Sequence, residues 1–146
     1  MSVDDSLYTT LQELSTASRQ LLDALEREAV VLANRDVQAL VDVLQEKQQH
    51  VAQVESFEQQ RQLRCSQLGL SPHSLPQDYS VLWDQVLELA RECQQKNRDN
   101  HALLVTNQRY VDEALRILAA NGEDASPAYT ASGIDSKPGG RSFGEA

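Results

Sequence analysis

The sequence predicts an all-α protein, an antiparallel bundle of three long helices followed by a flexible C-terminal tail. Leucine and valine recur at spacings of three, four and seven residues through most of the chain, as on one face of an α-helix. The strongest helix breakers, glycine and proline, do not occur before Gly69. Five of the six glycines lie at Gly122 or beyond, where the periodicity has ended. We therefore assign residues 1–121 to a helical bundle domain and 122–146 to a flexible tail.

Composition excludes several classes of function. The 146 residues carry a net charge of −9, which disfavours binding to nucleic acid and charge-driven binding to anionic membranes. No run of about 18 apolar residues occurs, and the first ten residues lack the basic and apolar segments of a signal peptide. The two cysteines, Cys65 and Cys93, form no CxxC motif, so we expect reduced thiols. These features predict a cytoplasmic protein without direct membrane insertion.

The first helix is predicted from Val3 to Leu32. Glu28 is the one charged residue on its apolar face. The polar segment 33–36 ends the helix, and Asp36 is a suitable N-cap for the next one. So short a connection makes helices one and two antiparallel neighbours. The apolar face repeats every seven residues along two rows: Leu7, Leu14 and Leu21, then Leu11, Ser18, Leu25 and Leu32.

The second helix is predicted from Val37 to Leu68, where Gly69 ends it. Its apolar face is interrupted by Lys47, Glu58 and Arg61. Such charges either fix the register between helices or extend along the surface with their charged ends in water. For Lys47 and Arg61 we expect the second arrangement. A proline-containing loop, 69–78, follows, in which Ser74 or Asp78 is expected to cap the third helix.

The third helix is predicted from Tyr79 to Ala120, about 60 Å long. Asn97 and Asn100 interrupt its apolar face halfway along. They are either buried groups that fix register or a solvated patch where the bundle loosens. If Asn100 faces the bundle, the substitution Asn100→Leu is expected to raise the melting temperature.

The last part of the third helix carries an apolar stripe that is wider than a coiled-coil seam requires. A helix that becomes most apolar near its end suggests a surface kept for a partner. The alternative is that the stripe is only part of the core. One face of the stripe consists of Leu104, Val111, Leu115 and Leu118, and the neighbouring face of Leu103, Tyr110, Ala114 and Ile117.

The residues of catalytic and cofactor sites are not arranged in recognisable motifs. No HExxH, Walker loop or GxGxxG occurs, and the three histidines are far apart in sequence. His50 lacks the lysine and glycine neighbours that are usual for a phosphotransfer histidine. We therefore expect no enzyme activity, no metal and no cofactor.

Several short segments together resemble the FlgN family of flagellar export chaperones. Helix order, length, acidity and the loose C-terminal end agree with that family, and the resemblance covers nearly the whole chain. The proline-rich loop and the residues after Gly133 depart from the pattern. The matching segments are Glu46-Lys47 with Val51, Val54 and 58–61; Asn97-x-x-Asn100 with Leu103-Leu104, Asn107, Ala114-Leu115 and Leu118; and Ser126-Pro127-x-Tyr129-x-x-x-Gly133.

The resemblance implies a chaperone that binds the hook-associated proteins FlgK and FlgL in the cytoplasm. Such a chaperone holds their C-terminal helical segments and delivers them to the export gate protein FlhA. On this basis we expect Leu104, Val111, Leu115 and Leu118 to bind cargo by helix-in-groove recognition. Tyr129, which precedes Gly133 by four residues as in the family's tail, is expected to dock at the gate. The alternatives are a structural coiled-coil module that homo-oligomerises through the same stripe and, for Tyr129, a tail tyrosine without a partner.

Overall fold

The computed structural model describes residues 3–121, and within them every long element is an α-helix. The predicted all-α class is therefore confirmed. The described residues form four helices rather than three: α1 (Val3–Asn34), α2 (Val37–Leu68), α3 (Gln77–Thr106) and α4 (Gln108–Ala120). The predicted tail, 122–146, and its Tyr129 lie outside the described residues.

The single third helix predicted from Tyr79 to Ala120 is wrong, because the chain leaves the helical conformation at Asn107. Asn107 has φ −113° and ψ 37°, compared with about −63° and −42° in an α-helix. The apolar periodicity continues across this residue without a glycine or a proline, so the sequence carries no strong signal for the break.

Local capping explains the ends of α2. The Asp36 carboxylate accepts a hydrogen bond from the Ala39 amide at 3.1 Å, which confirms the predicted N-cap. Gly69 takes a left-handed conformation with φ 70°, which confirms the predicted helix stop. Pro76, and not Ser74 or Asp78, precedes α3, and no side chain caps that helix; Asp78 lies within its first turn.

Helix α1 is the centre of the bundle, because both α2 and α3 pack closely against it. The Cys93 thiol of α3 donates to the Ser18 carbonyl, and the Asn100 amide donates to the Leu25 carbonyl. In each pair the α3 residue comes 75 positions after the α1 residue. Because this separation stays the same along the helices, α1 and α3 run in the same direction. Within the described residues, no Cα of α2 lies within 8 Å of a Cα of α3. These two helices meet through long side chains.

The core consists of three apolar clusters stacked along the bundle. Burial of each leucine in them contributes about 1.5–3 kcal/mol to folding. The buried members of the cluster near the α2–α3 loop are Leu7, Leu11 and Cys65. Those of the middle cluster are Leu14, Ala17, Leu21, Leu25, Val54, Val86 and Cys93. Those of the far cluster, at the α4 end, are Leu32, Leu40, Val41, Val43, Leu44, Leu104, Val111, Ala114 and Leu118.

Candidate partner-binding surface

The structure places the four predicted cargo residues in the far cluster. Leu104 is the last buried residue of α3, whereas Val111 and Leu118 are buried residues of α4; each of the three is 1% exposed. Leu115 is half-buried at the edge of the same cluster. In this conformation the stripe covers the chain's own apolar surface, and its role toward cargo stays a prediction.

The partner of the stripe within the chain is the N-terminal part of α2. Helix α4 packs on α2, and Leu40, Val41 and Leu44 lie in the same cluster as the α4 side chains. Val41 is 1% exposed. A helix of 13 residues is only marginally stable alone in water, so contact with α2 supplies most of the stability of α4.

The hinge between α3 and α4 is a single residue, Asn107. Its backbone amide donates to the carbonyls of Leu103 and Leu104 at 3.0 and 3.1 Å. Its side-chain amide also donates to the Leu103 carbonyl, at 2.9 Å. These bonds satisfy carbonyl groups that the break would otherwise leave without partners at the end of α3. No side chain caps the N-terminus of α4, so the α4 side of the hinge is held only by packing and one tether.

That tether is Tyr110. Its hydroxyl lies 2.7 Å from the Asp36 carbonyl and 3.1 Å from the Val31 carbonyl, and it donates its proton between these two acceptors. The bond joins the first turn of α4 to the α1–α2 connection. Burial, and then the charge of Asp36, raise the pKa of Tyr110 to about 12. The apolar periodicity places Tyr110 on the stripe, and a tyrosine among aliphatic residues is a signal for a buried ring with a polar tip. The acceptors of its hydroxyl lie 74 and 79 residues away in the sequence, so periodicity does not indicate them.

Below α4, a buried polar layer separates the far cluster from the middle one. Glu28 of α1 and Asn100 of α3 are both 0% exposed, and the Asn100 side-chain amide donates to Glu28 Oε1 at 2.8 Å. Lys47 of α2 lies 3.5 Å from the same oxygen and donates to Asn97 Oδ1 at 3.0 Å. One layer therefore links three helices through hydrogen bonds and a charge pair.

The buried polar layer shows whether Asn100 and Lys47 face the bundle or the solvent, which the sequence left open. Asn100 faces the bundle and is not a solvated residue. The expectation that Lys47 keeps its charged end in water is wrong, because the residue is 2% exposed. Desolvation lowers the pKa of Lys47, while the charge and hydrogen bond of Glu28 oppose this shift. Glu28 Oε2 and Asn100 Oδ1 are buried without a hydrogen-bond partner among the described residues. The bonds that the layer does form are possible in only one alignment of the helices, which favours a role in fixing register.

Arg61 is also buried, at 2% exposure, so the same expectation is wrong for this residue. Its guanidinium forms two hydrogen bonds with the Glu58 carboxylate, at 2.7 and 2.8 Å. It also donates to the Pro72 carbonyl at 2.7 Å and stacks 4.0 Å from the centre of the Trp83 ring. Arg61 thus fixes the α2–α3 loop and the start of α3 to α2.

Possible metal ligands and free thiols both occur in the described part of the chain. No group of three or more His, Cys, Asp or Glu residues within it is arranged to hold a metal ion. Cys65 and Cys93 are free and buried. Burial raises the pKa of Cys93 to about 12, which makes this thiol a poor nucleophile.

The geometry is that of a helical protein in which the most amphipathic of the described helices, α4, packs mainly on α2. None of the described helices has the length and apolar content that crossing a membrane requires. Comparison with curated proteins and with solved structures found no match. The model of the FlgN protein family matches residues 1–136. This chain therefore belongs to the FlgN family, a family of chaperones in flagellum biogenesis.

Proposed function

We propose that this chain is a cytoplasmic export chaperone that binds FlgK and FlgL and delivers them to the export gate protein FlhA. The membership in the FlgN family supports this role. The observation that carries the proposal is α4, an amphipathic helix of 13 residues that packs on α2 and is joined to α3 by one residue. Leu104, Val111, Leu115 and Leu118 are the proposed cargo-binding residues.

Cargo binding through these residues requires α4 to separate from α2, because three of the four are buried in the bundle. An amphipathic cargo helix offers the same kind of apolar face as α2 does. Exchange of one apolar neighbour for another keeps the leucines out of water. The free energy needed to release α4 lowers the apparent affinity for cargo, which protects the stripe from weaker partners.

The cargo step can be tested by calorimetric titration with the C-terminal segments of FlgK and FlgL. The substitution Leu115→Ala is suited to this test because Leu115 is half-buried and its loss costs the fold little. We expect about tenfold weaker binding, or about 1.4 kcal/mol, as for a leucine that becomes buried on binding. Leu22→Ala is the matched control, since Leu22 is half-buried against the middle cluster on α1.

The comparison of the two variants separates the alternatives. Weaker binding by Leu115→Ala alone supports the stripe as the cargo surface. Equal binding by Leu115→Ala and the wild type would refute that assignment. No binding of either segment by the wild type would leave the structural coiled-coil module as the better explanation.

Delivery is assigned to Tyr129, which lies outside the described residues. A single aromatic anchor gives weak and reversible docking, which suits a chaperone that must leave the gate. We expect Tyr129→Ala to keep FlgK affinity within about threefold, or roughly 0.7 kcal/mol. Binding to the cytoplasmic domain of FlhA should fall. Loss of cargo affinity, with or without equal loss for FlhA, would contradict a dedicated gate anchor.

A further inference from the structure

The hinge at Asn107 differs from a continuous helix by the conformation of one residue. On one side, the Asn107 amide keeps its bond to the Leu103 carbonyl, four residues earlier. On the other side, the Val111 amide bonds to the Asn107 carbonyl at 3.0 Å. Both bonds have the spacing of an α-helix. A change of φ and ψ at Asn107 to helical values would therefore join α3 and α4 into one helix.

Local sequence preference favours the joined form. Neither glycine nor proline occurs between Gln77 and Asn121, and the apolar periodicity runs through the hinge. The break is stabilised by two tertiary contacts, the Tyr110 tether and the packing of α4 on α2, and by the local bond from the Asn107 side chain to the Leu103 carbonyl. A joined helix from Gln77 to Ala120 would be about 66 Å long and would project about 20 Å beyond the bundle.

Straightening would carry α4 away from the α2 of its own chain. Two complementary surfaces would then be exposed: the face of α4 with Val111 and Leu118, and the face of α2 with Leu40, Val41 and Leu44. In a second copy with a joined helix, the same two surfaces are exposed, so α4 of one copy can pack on α2 of the other. Reciprocal exchange would restore the packing of both α4 helices in a dimer with two-fold symmetry. Because the hinge is one residue, α4 cannot both continue α3 and reach its own α2.

We propose that this chain forms a dimer by exchanging α4, so that α4 of each copy packs on α2 of the other. The occupant of the α2 surface is known, because α4 already fits it within one chain. The dimer keeps the apolar stripe covered and does not depend on the identity of any cargo. The net charge of −9 on each copy opposes association, so the dimer should form at high protein concentration and in salt.

The proposal is tested by analytical ultracentrifugation of the full chain in about 0.3 M salt, where charge repulsion is screened. The substitution Asn107→Ala removes the side-chain bond to Leu103 and raises helix propensity at the hinge. We expect it to lower the dissociation constant of the dimer about tenfold, because each dimer contains two hinges. Asn121→Ala is the matched control, since it makes the same change after the end of α4 and should have little effect.

A second variant identifies the kind of dimer. A flexible Gly-Ser linker of about eight residues, inserted between Asn107 and Gln108, lets α4 reach its own α2 without constraint. We expect this variant to be monomeric at every concentration at which Asn107→Ala is dimeric. A dimer of unchanged strength in the linker variant would overturn the proposal, because such a dimer needs no exchange. A monomeric Asn107→Ala chain throughout the millimolar range would overturn it as well.

Discussion

The buried polar layer gives the sharpest test of how this bundle is specified. We consider the substitution Asn100→Leu, which fills the same place with an apolar side chain. It removes two hydrogen bonds of 2.8 Å, one to the Leu25 carbonyl and one to the Glu28 carboxylate. From the sequence alone, an Asn100 that faces the bundle predicts a higher melting temperature for this variant. In the structure, Asn100 is the closest donor to the buried Glu28 carboxylate, at 2.8 Å. We therefore expect Asn100→Leu to lower the melting temperature.

The magnitude follows from the two bonds and the gain of an apolar residue. A hydrogen bond to a charged group contributes about 1.5–3 kcal/mol, and the bond to the Leu25 carbonyl about 0.5–1.5 kcal/mol. A buried leucine returns about 1.5–3 kcal/mol of this loss. The charge pair of Glu28 with Lys47, at 3.5 Å, remains, but it does not replace the shorter hydrogen bond from Asn100. We expect a net loss of about 1 kcal/mol in the free energy of unfolding, measured by urea denaturation.

A triple variant separates the polar layer from a general intolerance of leucine at position 100. Glu28→Leu and Lys47→Met, combined with Asn100→Leu, replace the layer by apolar side chains of similar size. Replacement of a whole buried ion pair is often neutral or stabilising, so the triple variant should be at least as stable as the wild type. If the single variant is more stable than the wild type, the carboxylate does not depend on Asn100. If the triple variant is less stable than the single one, packing and not charge satisfaction controls this layer.

Three further predictions concern other parts of the fold. The pKa of Cys93 rises from 9.0 to about 12 on folding, so the unfolded chain loses this proton first as the pH increases. Between pH 8 and 10 the wild type should therefore lose about 1.4 kcal/mol more stability than Cys93→Ala, as measured by urea denaturation; an equal loss in both would refute the shift. Tyr110→Phe removes the tether to the α1–α2 connection and should cost about 1 kcal/mol, with faster amide exchange in α4 but not near the α2–α3 loop. Arg61→Met leaves the buried Glu58 carboxylate without a positively charged partner, since among the described residues only Gln62 still donates to it, and should cost about 3–5 kcal/mol. Combining it with Glu58→Leu should recover most of that loss.

Helix class and helix ends could be predicted from the sequence because their causes are local. The seven-residue rows that begin with Leu7 and Leu11 are buried as expected, since periodicity alone defines the face that must leave water. Asp36 and Gly69 act at the positions predicted for them, because a cap depends on a few neighbouring residues. The start of α3 was less predictable, since Pro76 precedes it without a side-chain cap.

The positions of the buried charges could not be predicted from the sequence. A lysine or an arginine on an apolar face can extend to water or turn inward, and the difference depends on which groups the other helices place beside it. Lys47 turns inward because Glu28 and Asn97 lie opposite, on two other helices. Arg61 does so because the α2–α3 loop brings the Pro72 carbonyl and the Trp83 ring against it. These partners are far apart in the sequence.

The sequence by itself determined that this chain forms amphipathic helices, where most of them end, and that an apolar stripe extends from Leu104 to Leu118. Family membership also follows from the sequence. Only the tertiary structure decided that this stripe is divided at Asn107 and that α4 packs on α2. The physical reason is that the local preference across the hinge favours a continuous helix, while burial of Val111 and Leu118 against α2 outweighs it. Periodicity shows which side chains need an apolar neighbour, and only the assembled fold shows which neighbour they find.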